Sequence, residues 1–331
     1  MKKIITFIIL LGAILSISCD ALNTVTSNKV NSQGSPYELI VVCNQPEWEG
    51  ALGDTLKTIL RAEIPYLVQP EPYFSVYRIT QQGYDNLILK HRNIFIVNVV
   101  PSLDESSIVV QYDVNATPQI IMTLQGPTAE SLTEYVSENR ELVMKALEGA
   151  ERDRDIAYGQ KFSVATLDKL IKDKFDVTMK IPQGYSLRNE GKDFVWLSYE
   201  YPTASQGVIL YSYPAEDGKA SLKWEALLEA RNKFASKIPG PSEGSYMTTF
   251  MEVEPDYRLF RSNGRVWAEM RGLWEVEGDY MGGPFVSFST IDTRTNRVFA
   301  VDCYVYSPKL GKRNFLRGVE HIVYNVEIPT E

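Results

Sequence analysis

The chain has 331 residues, 44% of them hydrophobic and 23% charged, with a formal net charge of −8. That length accommodates two domains of ordinary size, and the composition is that of a globular protein. The acidic balance excludes a broad nucleic-acid face, which needs clustered Lys and Arg, and gives no attraction to anionic lipid.

At the start of the chain, Lys2 and Lys3 precede residues 4–17, which are apolar except for Thr6, Gly12 and Ser16. A spanning helix takes about 20 apolar residues, so this run has the length and flanks of a secretory signal instead. Ser18 directly before Cys19 resembles a lipobox, although Ser16 stands where leucine is usual and Leu15 sits beside it. Cys19 is therefore expected to be acylated, each buried methylene contributing about 0.8 kcal/mol, so that the membrane is held through its lipid. An ordinary signal peptide with a chance cysteine is the alternative. Residues 20–35 are polar and aperiodic, as a flexible tether would be.

From residue 36 the pattern is α+β, in two modules. The first, 36–158, is expected as an α/β module with a mostly buried sheet. "YELIVVC" is a near-continuous apolar run, the mark of a strand buried on both faces. Asn44 and Glu47 have capping-box spacing, and Trp48, Leu52, Leu56 and Leu60 give the following helix one apolar side. "IPYLVQPEPYF" holds three prolines and must be extended. "FSVYRI", "IFIVNV", "SSIVVQYD" and "QIIMTLQ" read as strands, with a short helix at 84–89. A long helix starts at Thr128 and ends in the charge run "EGAERDRD", expected to be solvated.

The second module, 159–331, opens with a helix at 164–175 and then alternates. "DVTMKIP", "FVWLSYEYP" and "GVILYSYP" are expected strands, followed by a helix carrying Leu227, Ala230 and Phe234. Asn263-Gly264 closes one hairpin, and a second turns near Thr295-Asn296. A helix at 313–324 ends the module. The whole is an antiparallel sheet flanked by helices. Cys43 and Cys303 both sit in apolar runs and read as buried core thiols rather than a bridge.

The stretches "YELIVVCNQPEWEGALGDTL", "IPYLVQPEPYFSVYRI", "KFDVTMKIPQGY" and "FVWLSYEY" together resemble a family of Bacteroidota envelope lipoproteins that carries a domain of unknown function. The resemblance covers almost the whole mature chain and implies a cell-envelope protein, but no activity. Asp20-Ala21 lacks the acidic run associated with surface export in that phylum, which favours the periplasmic face of the outer membrane, with the inner membrane and the cell surface left open. In element order alone the second half resembles the sandwich of the photosystem-II oxygen-evolving-complex P protein and the transport factor Mog, which carries no function across.

For chemistry, the chain offers two histidines. His91 reads as a charged helix end and His321 as a surface position, and neither has a metal-ligand neighbour in sequence. No nucleophile elbow, phosphate loop or dinucleotide fingerprint occurs, so no catalytic residue, cofactor or metal is assigned. Two constellations are candidate binding sites. Trp48, Glu49 and Asp54, with Glu47, lie beyond the carboxyl end of the first strand, where open α/β sheets bind ligands. Their core-face and capping roles are the plainer reading. Asp279, Tyr280 and Met281 form the tip of "GLWEVEGDYMGGPF", near Arg271 on a strand that also bears Glu269. Cross-strand Glu–Arg pairs explain that strand equally well.

The function expected is a non-catalytic binding or scaffolding module for an envelope protein or a glycan. The alternative is a carboxylate-driven glycan hydrolase, which needs two of Glu47, Glu49, Asp54, Glu269 and Asp279 about 5 to 10 Å apart in a cleft.

Overall fold

The computed structural model describes residues 29–216, 218–262 and 264–329. Apolar periodicity sorts them into two sheets. The first begins at β1 (Glu38–Val42), where Leu39 and Val41 face one core and Ile40 and Val42 the other. It continues through α1 (Gln45–Glu49), α2 (Ala51–Leu60), β2 (Ser75–Ile79), β3 (Asn93–Val99), β4 (Ser107–Tyr112) and β5 (Ile120–Gly126). Then come α3 (Ala129–Glu138) and α4 (Arg140–Lys161). The strands lie in the order β2-β1-β3-β5-β4, all parallel except β4. Leu52, Leu56, Leu132, Val136 and Leu147 cover one face of this sheet, while Tyr84 and Ile88 cover the other.

Three local expectations fail for backbone reasons. The helix after Asn44 breaks at Gly50, which is extended, and Asn44 makes no side-chain cap. Both short helices can meet only because Gly53 lacks a side chain: a Cβ there would lie 1.9 Å from the Trp48 carbonyl oxygen. The helix expected at 84–89 is instead a pair of 3-10 turns, Gln81–Gly83 and Ile88–Lys90. The helix from Thr128 is two helices meeting at Asn139. Part of the expected tether is also held in place, since Val30 and Ser32 bond Thr117 while Gln33 bonds Lys90 and Arg92 through the backbone.

The second sheet follows α5 (Ala165–Phe175) and comprises β6 (Ser186–Gly191), β7 (Phe194–Glu200), β8 (Ser205–Pro214), β9 (Tyr246–Thr249), β10 (Asp256–Ser262), β11 (Arg265–Glu277), β12 (Gly282–Asp292) and β13 (Arg297–Tyr306). Its order is β10-β11-β12-β13-β8-β7-β6, with β9 beside β11, and all pairings are antiparallel. Strand alternation gives each face its own core. Phe299, Val301, Cys303 and Val305 pack with α5 and with α7 (Arg313–His321). Val298, Ala300 and Tyr304 pack with α6 (Trp224–Ala235). The expected strand "DVTMKIP" buries Val177, Met179 and Ile181 but makes only isolated pairings, Thr178 with Glu327 and Ser163 with Pro182. The fold is α+β. Cys43 and Cys303 are free, each buried in a different core.

Candidate functional site

The residues singled out by sequence lie in different modules. At the α1–α2 corner, Trp48 packs partly on the first core and Lys57 lies over its ring, 5.0 Å from the centroid. Lys57 also donates to the Trp48 carbonyl (3.1 Å) and to Asp54 (2.9 Å). Glu49 accepts from Gln45 at 2.7 Å. The Trp48 ring and Asp54 are therefore taken up by Lys57, and Glu49 by Gln45.

The tip of the β11–β12 hairpin is only residues 278–281, shorter than the Gly-rich pattern implied. Gly282 and Gly283 belong to β12, and a Cβ on Gly283 would meet the Val305 carbonyl oxygen at 2.1 Å. These glycines serve sheet packing, not loop freedom. Asp279 bonds Ser242 and caps the Tyr280 amide, Met281 packs on the sheet core, and Tyr280 alone is fully exposed.

Arg271 offers no open anion site. It bonds Glu269 and Glu320, while Arg258 takes the other Glu269 oxygen at 2.6 Å. Glu47 has a buried oxygen without a partner, and Glu269 is spent on arginines. No two of the five candidate carboxylates share a bonding partner. Cys19 lies outside the described residues.

What the structure does bring together is a junction between the modules. On α4, Glu148, Glu151, Asp155 and Tyr158 are spaced by three, four and three residues and share one helix face. The expected solvated run is thus partly buried: Glu151 is 1% exposed, bonded within its own module to Arg92 (2.5 Å), Arg154 (3.1 Å) and Asn93 (2.6 Å), while Glu148 and Asp155 reach across to the second module. On α7, Arg313, Arg317, Glu320 and His321 form the opposing stripe, while Leu316 and Val319 enter the second core. Arg317 bridges Glu320 and Glu148, each at 3.2 Å. Burial opposes charge on Glu320, but Arg271 and Arg317 overcome it and bring its pKa down to about 2. Glu71 of the first module accepts the Lys312 and Arg313 amides at 2.5 and 3.2 Å and so caps α7.

His321 is buried here, not on the surface, because α7 is covered on both sides. Its Nδ1 lies 2.7 Å from Asp155 Oδ2 and its Nε2 3.3 Å from the Tyr37 hydroxyl. Nδ1–H is the donor to the Asp155 carboxylate, which can only accept, and Nε2 pairs with the Tyr37 hydroxyl. Tyr37 has a positive φ of 62°, rare for a bulky residue, and its amide is held by Glu151 at 3.2 Å. His91 is likewise buried, with Nδ1 3.0 Å from the Asn93 carbonyl.

Above this chain of bonds opens a cleft of about 400 Å³ between the modules. One wall is aromatic: Tyr199 and Tyr201 stack with centroids 4.2 Å apart, and Phe315 stands edge-on to Tyr201 at 5.1 Å. Tyr158, 52% exposed, lies on the other wall, with Asp155 and Asn314. Burial, aided by Tyr199 and Tyr158, pushes the Tyr201 phenol up to about 12, so it is neutral at physiological pH. Sequence reasoning missed this cleft. The period-two pair Tyr199/Tyr201 and the Asp155/Tyr158 helical spacing were the signals available.

Residues 164–325 match the family model of a domain of unknown function, DUF4837. Residues 32–158 match a second, DUF8532, also of unknown function. No curated protein matches the chain. Among solved structures, a mutant of protein Mog1 is similar at 10% identity and TM-score 0.30, covering 46% of this chain and 90% of its own. A Bacteroides thetaiotaomicron protein is similar at 15% identity and TM-score 0.25, covering 47% of this chain and 46% of its own. At these scores neither likeness bears on fold or function. Among the described residues no three His, Cys, Asp or Glu side chains gather as metal ligands, and no helix is long and apolar enough to cross a membrane.

Proposed function

We propose that the protein is a cell-envelope lipoprotein, anchored through Cys19, that binds a glycan in the cleft between its modules without transforming it. The observation that supports this most is the cleft's lining. Aromatic faces at Tyr158, Tyr199, Tyr201 and Phe315 stand beside the polar groups of Asp155 and Asn314. Pyranose rings present apolar C–H faces with a rim of hydroxyls, and that combination matches an apolar pocket with a few convergent polar groups. The hydrolase reading finds no support in its five carboxylates: Glu49, Asp54, Glu269 and Asp279 are engaged with separate partners, and Glu47 shares none of them. The periplasmic side of the outer membrane is the favoured location, because no acidic run of the kind that marks surface export follows Cys19.

Two measurements test the reading. Calorimetric titration of the protein with envelope oligosaccharides should give binding that Tyr201→Ala weakens and Tyr280→Ala leaves intact; the reverse order would move the site to the hairpin tip. Cys19→Ala should shift the protein from the membrane to the soluble fraction on cell fractionation, and an unchanged distribution would remove the anchor.

A further inference from the structure

The cleft carries a charge pattern that narrows its ligand. Asp155 contributes the only carboxylate among the described lining residues, and no lysine or arginine lines the cleft. Its side chain is 41% exposed although Oδ2 is bonded to His321, and Oδ1 has no partner among the described residues. The imidazole fixes the carboxylate's orientation without consuming it. The surrounding phenols are neutral, because burial raises Tyr37, Tyr185 and Tyr201 alike. Their ring faces add a negative quadrupole, which attracts a cation by about 0.5 to 2 kcal/mol depending on desolvation.

Each ligand charge then has a distinct fate. An anion meets a carboxylate and electron-rich faces, and the His321 imidazole in the lining is already bonded to Asp155 and Tyr37. A neutral sugar stacks but leaves Asp155 Oδ1 facing it with only a hydroxyl. An ammonium gains a charge-assisted bond and the ring faces together.

We propose that the cleft selects a glycan bearing a free primary amine, an amino sugar whose ammonium sits between Asp155 Oδ1 and the faces of Tyr158 and Tyr201. This rests on the glycan reading above and names its chemical class. Asp155 is the recognition carboxylate, and His321, held in turn by Tyr37, is its positioning residue.

The test uses the full lipid-anchored protein in detergent and four probes: a glucosamine oligomer, its N-acetylated form, a neutral β-linked glucose oligomer, and trilysine. The glucosamine oligomer should bind at least about tenfold tighter than the acetylated one, the two differing at each sugar by an ammonium against a neutral amide on the same carbon. Asp155→Asn should erase that preference while leaving the acetylated oligomer within about twofold. Because Asp155 also touches His321, Tyr158→Lys serves as the second variant. It lies at a half-exposed helix position, puts a like charge in the cleft, and should erase the preference with unfolding unchanged. Equal binding of the amine and acetylated oligomers would overturn the amine selectivity and leave the glycan reading standing. Binding of trilysine with no sugar bound would overturn the glycan reading itself, and binding of none of the four would overturn both.

Discussion

At the scale of single residues, the strongest constraint is a charge with nowhere to go. Arg231 on α6 and Asp302 on β13 are 1% and 0% exposed and meet at 2.7 Å. Arg231 also covers the Phe285 ring at 3.5 Å and bonds Thr249 at 2.7 Å. Burial raises the Asp302 pKa in spite of the arginine. Removing one partner leaves the other desolvated and unpaired. Asp302→Ala is expected to cost about 3 to 5 kcal/mol in urea unfolding, whereas Arg231→Met with Asp302→Leu should cost far less. If both variants lost the same stability, packing rather than charge would explain the site. Gly53 makes a second, purely steric case. A Cβ there would lie 1.9 Å from a backbone oxygen, which cannot rotate away, so Gly53→Ala should shift the α1–α2 corner and lower Tm by several degrees. Neither constraint was legible beforehand. Asp302 sits in an apolar run that announces a strand, and nothing local names the arginine 71 residues earlier that neutralises it.

At the scale of elements, α4 and α7 show where periodicity succeeds and where it stops. The apolar pairs Val143/Leu147 and Leu316/Val319 recur at helical spacing, and both are buried in their own modules. The charged stripes on the same helices resemble solvent faces in sequence, because a helix period does not say what a polar face meets. Here the two polar faces meet each other, and Glu148, Arg317, Glu320 and His321 become the junction. The cap at the start of α7 was hidden for a related reason: Glu71 supplies it from another module rather than from the preceding residue. Glu71→Ala removes both acceptors and should cost about 1 to 2 kcal/mol, the range of a lost helix cap. Hydrogen exchange of the Lys312 and Arg313 amides provides the check, and unchanged protection there would show that the cap is dispensable.

At the scale of the whole molecule, the two-module α+β architecture was legible because each sheet announces itself: continuous apolar runs for the parallel one, alternation for the antiparallel one. The cleft was not, since it exists only once residues 155–158, 199–201 and 314–321 are brought side by side. The same junction makes cohesion of the molecule acid-sensitive. Glu320 has a pKa near 2 in the folded protein against an ordinary 4.5, so the folded state resists its protonation. Stability from its pairing with Arg271 and Arg317 is complete above about pH 4.5 and is lost as pH falls toward 2, an amount on the order of 3 kcal/mol. Glu148 and Asp302, raised by burial, work in the opposite sense: the folded state takes up their protons first, which offsets part of the loss. The Glu320 contribution is isolated by comparing the parent with Glu320→Gln. The variant starts less stable at about pH 6, because two buried arginines lose their countercharge, but it has no proton to gain at this position. Urea unfolding at about pH 6, 4 and 2.5 should therefore show the gap between parent and variant narrowing as the acid deepens. A gap that stayed constant would mean that Glu320 keeps its ordinary affinity for protons and that the junction is held by packing alone.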